Sequence, residues 1–268
     1  MEIIIIYLHD DHNRLTMHVQ SRLRIALGTF VAVEAEAPRE NTVEQGIAAA
    51  FAAIAKLDRL MHPERAGSDI ALLSDCKPPT VLAVDPWTWE VLELCQEIHR
   101  VSRGAFDPCL HVAPGRVTDI ELLDGFRVRT RAAVRVDLGG VAKGYAVDRA
   151  LESLRTAGCS AGLVNAGGDL AVFGARSRTL YCDTACGTPV AVELKDAALA
   201  TSDTENPTRP AQHRGYYHGL HGEAPMEGRV TVTAPRAAVA DALTKCLLAA
   251  AGVPREAMLE PFGARQVL

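Results

Sequence analysis

The run from Val136 to Asp169, VDLGGVAKGYAVDRALESLRTAGCSAGLVNAGGD, constrains the fold of this chain more than any other stretch. Val134 to Leu138 alternates as a strand, Gly139-Gly140 makes a turn, and a helix opens near Val141 with Lys143 in its first turn. Glycines let backbone approach a ligand closely, and a helix start presents unpaired N–H groups and a positive dipole end to an anion. Lys143 adds a mobile charge to that start, so the unit has the form of a phosphate cradle; a tight turn with a solvated lysine is the plainer alternative. The spacing is neither that of a Walker loop nor that of a dinucleotide fingerprint. Val147, Ala150, Leu151 and Leu154 form a core stripe along the helix, and Asp148 is expected on the surface or in an ion pair. Asp137, at a strand end beside the glycine turn, is placed to line the site. Asn165, Gly167, Gly168 and Asp169 repeat the theme of backbone donors followed by a carboxylate.

Around this unit the chain alternates without a repeat. LGTFVAVEAEA has the period of a half-buried strand, and Asn41 with Glu44 suggests a capping box for a helix over about residues 42 to 60. Asp85-Pro86 opens a second helix that Gly104 closes. Strands are expected within 117 to 138, from Thr179 to Leu194 and over Arg229 to Thr233, with a last helix near 236 to 251. This order of separate strands and helices predicts an α+β fold in which residues 25–268 form one domain and residues 1–24 an appended arm. A net charge of −5 argues against nucleic acid as a partner, and no run approaches the roughly 20 apolar residues of a membrane span. As written, without an export signal, the chain is expected in the cytoplasm, or exported if its N-terminus is incomplete. The seven cysteines read as reduced, although Cys182 and Cys186 have a spacing that could suit a metal.

DLGGVAKGYAVDRA with NAGGDL resembles the central signature of the ApbE family, the FAD:protein FMN transferases. Four further segments fit in the same order: LGTFVAVEAEA, LMHPERAGSDIALLS, SRGAFDP and VTVTAPRAAVADALTK. The resemblance implies a T-fold-like domain of mixed or antiparallel sheets with packed helices. It also implies an enzyme that binds FAD with Mg²⁺ on its diphosphate, transfers FMN to a threonine hydroxyl of a target protein as a phosphoester, and releases AMP. On that pattern Gly104, Ala105, Phe106 and Asp107 contact the flavin nucleotide, with Asp137, Gly139, Gly140, Lys143, Asn165, Gly167, Gly168 and Asp169 around it. Asp241 is the implied metal carboxylate, helped by a backbone oxygen of Gly140 or Ala142.

Two departures from that pattern sharpen the expectations. The family places a threonine four residues after the metal aspartate; here that position is Lys245, while Thr244 lies three residues on, on the same helix face. Either Thr244 substitutes as a ligand or the Lys245 ammonium sits where the cation belongs. The family's histidine segment is replaced by YYHGLHGEAP, which leaves His218 and His221 as candidate bases for the acceptor hydroxyl, alongside Lys143 as a catalytic group. The alternatives to transfer are an FAD-binding protein without catalysis and an FAD pyrophosphatase that gives FMN and AMP.

Overall fold

The computed structural model describes residues 17–183, 188–204, 228–249 and 252–268. Its frame is a seven-stranded sheet in the order β1-β2-β6-β7-β10-β11-β12, antiparallel at every pairing. The strands are β1 (His18–Ala26), β2 (Thr29–Ala37), β6 (Ala161–Ala166), β7 (Asp169–Phe173), β10 (Ala197–Asp203), β11 (Arg229–Ala234) and β12 (Arg265–Gln266). Alternation works as expected in β2, where Val31, Val33, Ala35 and Ala37 are fully buried on one face. That face is covered by α1 (Glu40–Met61), α4 (Ala142–Thr156) and α5 (Ala237–Ala249). The opposite face carries a second, smaller core: Leu163, Leu170, Val172 and Leu199 pack under a hairpin of β8 (Arg178–Cys182) and β9 (Val190–Leu194). A small antiparallel sheet of β3 (Thr80–Ala83), β5 (Arg127–Thr130) and β4 (Ile120–Leu123) lies with α2 (Asp69–Asp75) and α3 (Pro86–Val101), and α6 (Arg255–Leu259) follows α5. No helix among the described residues is long and apolar enough to cross a membrane.

The α+β expectation therefore holds, and so do the helices at α1, α3, α4 and α5. Asp85 caps α3 by accepting from Trp87 N–H at 3.0 Å, and the chain turns away at Gly104, whose φ of +88° suits glycine. Three local expectations change. α1 begins at Glu40 because the Arg39 carbonyl takes the amides of Thr42 and Val43, and no side chain caps it, so Asn41 falls inside the first turn. Val134–Leu138 is not a strand. Its polar groups bond to a neighbouring loop instead, with Leu110 N–H donating to Arg135 O and Asp137 N–H to Pro108 O, and only the Cys109–Val136 bridge is strand-like. Within the tract expected as an arm, residues from His18 onward form β1, hydrogen-bonded along its length to β2.

Candidate functional site

The turn Gly139-Gly140 hands the chain to α4 through tight local bonds. Asp137 Oδ1 accepts from Gly139 N–H at 2.7 Å, and Leu138 O accepts from both Val141 and Ala142 N–H. Asp137 thus secures its own turn. Gly144 N–H is one of the first-turn amides of α4 that have no partner inside the helix, and it donates to Asp241 Oδ2 at 3.2 Å. That bond ties the start of α4 to α5. Such an approach needs glycine: a Cβ on Gly144 would lie 2.3 Å from the Ala237 carbonyl oxygen.

The second glycine turn closes on the same place. Gly168 N–H donates to Asn165 Oδ1 and Gly167 N–H to Phe30 O, while Gly167, at φ +64°, leaves no room beside Thr29 for a Cβ. The turn delivers Asp169 into the interior, where its carboxylate accepts from Lys143 Nζ at 2.7 Å. Lys143 Nζ also stands 3.7 Å from Asp241 Oδ2, and Lys245 Nζ bonds Asp241 Oδ1. Burial, and then the adjacent Asp241 charge, push Asp169 above the usual carboxylate range, with Lys143 foremost in opposing them. Two lysines and two aspartates from α4, β7 and α5 thereby form one ion-pair cluster.

The cluster is polarised. The side chains of Asp169 and Asp241 are 3% and 0% exposed, whereas those of Lys143 and Lys245 are 32% and 14% exposed. The lysines are thus the more exposed members of the cluster and the carboxylates the buried ones.

The other expected residues divide. Phe106 reaches the turn, since a Cβ on Gly140 would lie 3.3 Å from its ring and 3.7 Å from Lys245 Cγ. Gly104 and Ala105 bond back to His99 O and Ser102 O at the end of α3. Asp107 faces its own loop, where Oδ1 accepts from Cys109 N–H and Val117 N–H and Oδ2 is buried without a hydrogen bond. Thr244 turns away from the Asp241 carboxylate. Its hydroxyl donates to the Asp241 backbone carbonyl at 2.6 Å, so the 2.6 Å bond to Ser202 is donated by Ser202. Ala142 is the first residue of α4, and its carbonyl enters that helix. His218 and His221, like Cys186, lie outside the described residues.

Of the two places expected for Asp148, the surface or an ion pair, the ion pair is found, with Arg236 Nε 3.6 Å from Oδ2. The carboxylate also accepts from the first two amides of α5, Ala237 N–H at 2.6 Å and Ala238 N–H at 3.1 Å. A carboxylate on α4 thus caps the helix that carries Asp241 and Lys245, and no local sequence signal ties Asp148 to that helix start. A separate groove of about 930 Å³, lined in part by Glu90, Glu97, Arg149, Arg155 and Arg236, contains none of the cluster residues.

This arrangement can be set beside known proteins. The fold is shared with the flavinyl transferase ApbE of Pseudomonas stutzeri in its apo form, at TM-score 0.80 and 20% identity over 95% of this chain and 92% of that one. It is also shared with the ApbE protein of Thermotoga maritima (TM-score 0.78, 22% identity, 93% of each chain) and the flavin transferase ApbE of Vibrio cholerae (TM-score 0.76, 15% identity, 93% of each). No curated protein sequence matches the chain. The sequence model of the ApbE family matches residues 27–114 and 112–261, which together hold Phe106, Lys143, Asp169, Asp241 and Lys245. The chain belongs to the ApbE family.

Proposed function

We propose that this chain is a flavin transferase that moves FMN from FAD onto a threonine hydroxyl of a target protein. The observation that carries the reading is the polarised cluster, in which Lys143 from the start of α4 and Lys245 from α5 sit on two buried carboxylates in a chain of this family. Phosphoryl transfer asks for positioning and neutralised charge more than for covalent chemistry by the protein. Lys143 and Lys245 hold the diphosphate of FAD, and Phe106 beside Gly140 walls the pocket next to it. The acceptor oxygen bonds to the phosphorus on the flavin side while the bridging P–O bond breaks. AMP leaves with that electron pair, and the hydroxyl proton passes to a base, for which His218 and His221 remain the candidates.

Magnesium, which the resemblance implies, does not fit the residues as they stand. A hard divalent ion needs several oxygens in near-octahedral array. Asp241 Oδ1 is taken by Lys245, Oδ2 by Gly144 N–H, and Thr244 is committed to the Asp241 carbonyl and Ser202.

The test is direct. The chain, FAD and a panel of threonine-bearing acceptor domains should give a fluorescent covalent adduct, with AMP released in equal amount, and Lys143→Ala should lose both. Tight FAD binding without any adduct would move the reading to a flavin-binding protein, and free FMN with AMP in the absence of acceptor would move it to a pyrophosphatase.

A further inference from the structure

We propose that Lys245 is the resident counter-cation of this site, so that the chain binds the diphosphate of its nucleotide without a divalent metal. The inference rests on the flavin reading above and deepens it. Lys245 comes one helical turn after Asp241 on α5, and its ammonium bonds Asp241 Oδ1 directly. Its stem crosses the glycine turn, with Cγ 3.7 Å and Cδ 4.0 Å from where a Cβ of Gly140 would stand, and Phe106 lies against the same point at 3.3 Å. The stem thus lies against the Gly140 turn while the ammonium holds Asp241 Oδ1, the carboxylate oxygen from which a bound cation would draw.

The chemistry of the position matches that role. An ammonium offers three donors on a compact charge. One of them is spent on Asp241, and the side chain keeps 14% exposure while its carboxylate partner has none. The cation is therefore the member of this pair that keeps contact with solvent, and Lys143 stands beside it, on Asp169 at 2.7 Å and 3.7 Å from Asp241 Oδ2. A diphosphate entering there meets two fixed positive charges on buried partners, and a metal would first have to displace one of them. Thr244, the one hydroxyl near enough in sequence to replace a missing ligand, points into the core toward Ser202.

The experiment is an FAD titration of the whole chain, followed by flavin fluorescence, in EDTA and in millimolar MgCl₂. It covers the native chain, Lys245→Met and Lys245→Thr, with folding of each variant checked by circular dichroism. The native chain is expected to bind FAD with the same Kd within about twofold in both buffers, while Lys245→Met binds at least about tenfold more weakly in EDTA, the scale of one lost charge contact. Lys245→Thr is expected to weaken likewise in EDTA and to recover in Mg²⁺, because the vacated space opens Asp241 Oδ1 to a metal. A native chain whose affinity rises tenfold or more with Mg²⁺ overturns the inference and leaves the flavin reading standing, as does Lys245→Met binding like the native chain in EDTA. No FAD binding by the native chain in either buffer overturns the flavin reading and this inference together.

Discussion

Replacing Asp148 tests how the site is held without depending on what it binds. The first amides of any helix have no partners inside it, and α5 gives two of its own to Asp148, at 2.6 and 3.1 Å. Arg236 Nε lies 3.6 Å from the same carboxylate, whose side chain is 17% exposed. Hydrogen bonds to a charged acceptor contribute about 1.5–3 kcal/mol each, and loss of an N-cap costs about 0.5–2 kcal/mol. Desolvation opposes this: burial is the largest influence on Asp148 and holds its carboxyl above the usual range despite the two amides. With that offset, Asp148→Ala should lose about 2–3 kcal/mol, and Asp148→Asn, which keeps one acceptor and sheds the buried charge, about 1 kcal/mol.

For a chain of this size the alanine loss corresponds to a Tm lower by about 4–12 °C, measurable by far-ultraviolet circular dichroism. The pH dependence has a definite sign. Below the ordinary value of 3.8 the carboxyl is protonated in both states. As pH rises past 3.8 the unfolded chain ionises first and the folded one lags, so native stability falls until the raised folded value is passed. The deficit of Asp148→Asn should therefore narrow between pH 4 and pH 7. An alanine variant melting within about 1 °C of the native chain, or an asparagine deficit that widens with pH, would refute the capping argument.

Two further outcomes follow from the packing of the same helix. Gly144→Ala forces a Cβ to within 2.3–2.7 Å of the Ala237 and Ala238 backbone, which has no flexible end to give way, so it should destabilise by about 3 kcal/mol and weaken FAD binding by driving α5 from α4; a variant with native Tm and affinity would show that the contact is slack. Cys246 lies fully buried on α5, and burial foremost pushes its thiol up to about 12, so it should resist iodoacetamide at pH 8 in the native protein and react after denaturation, with labelling of native Cys246 in a peptide map counting against the packing of α5.

What the sequence made legible follows from what kind of constraint each residue obeys. The glycine turns could be read because a left-handed φ or a close approach leaves little choice of residue, and Gly167, at φ +64° against Thr29, obeys that restriction; Gly144, inside α4, needs its glycine only because of Ala237 on α5, which no sequence spacing shows. β10 and β12 could not, because nothing in their few residues declares partners in β7 and β11. Asp148 escaped for the same reason, since its acceptor role belongs to amides 89 and 90 residues away. Lys245 is the instructive case. Its spacing from Asp241 is that of an i,i+4 ion pair, and an exposed pair of that kind contributes only about 0.3–0.5 kcal/mol. The sequence could not say that Asp241 is 0% exposed. Depth changes the meaning of the pair, because removing one partner of a buried ion pair costs about 3–5 kcal/mol by stranding the other charge, here softened by Lys143 at 3.7 Å. A lysine that the fold cannot release without cost is a fixed part of the site's charge, and any metal or phosphate that enters must be accommodated to it.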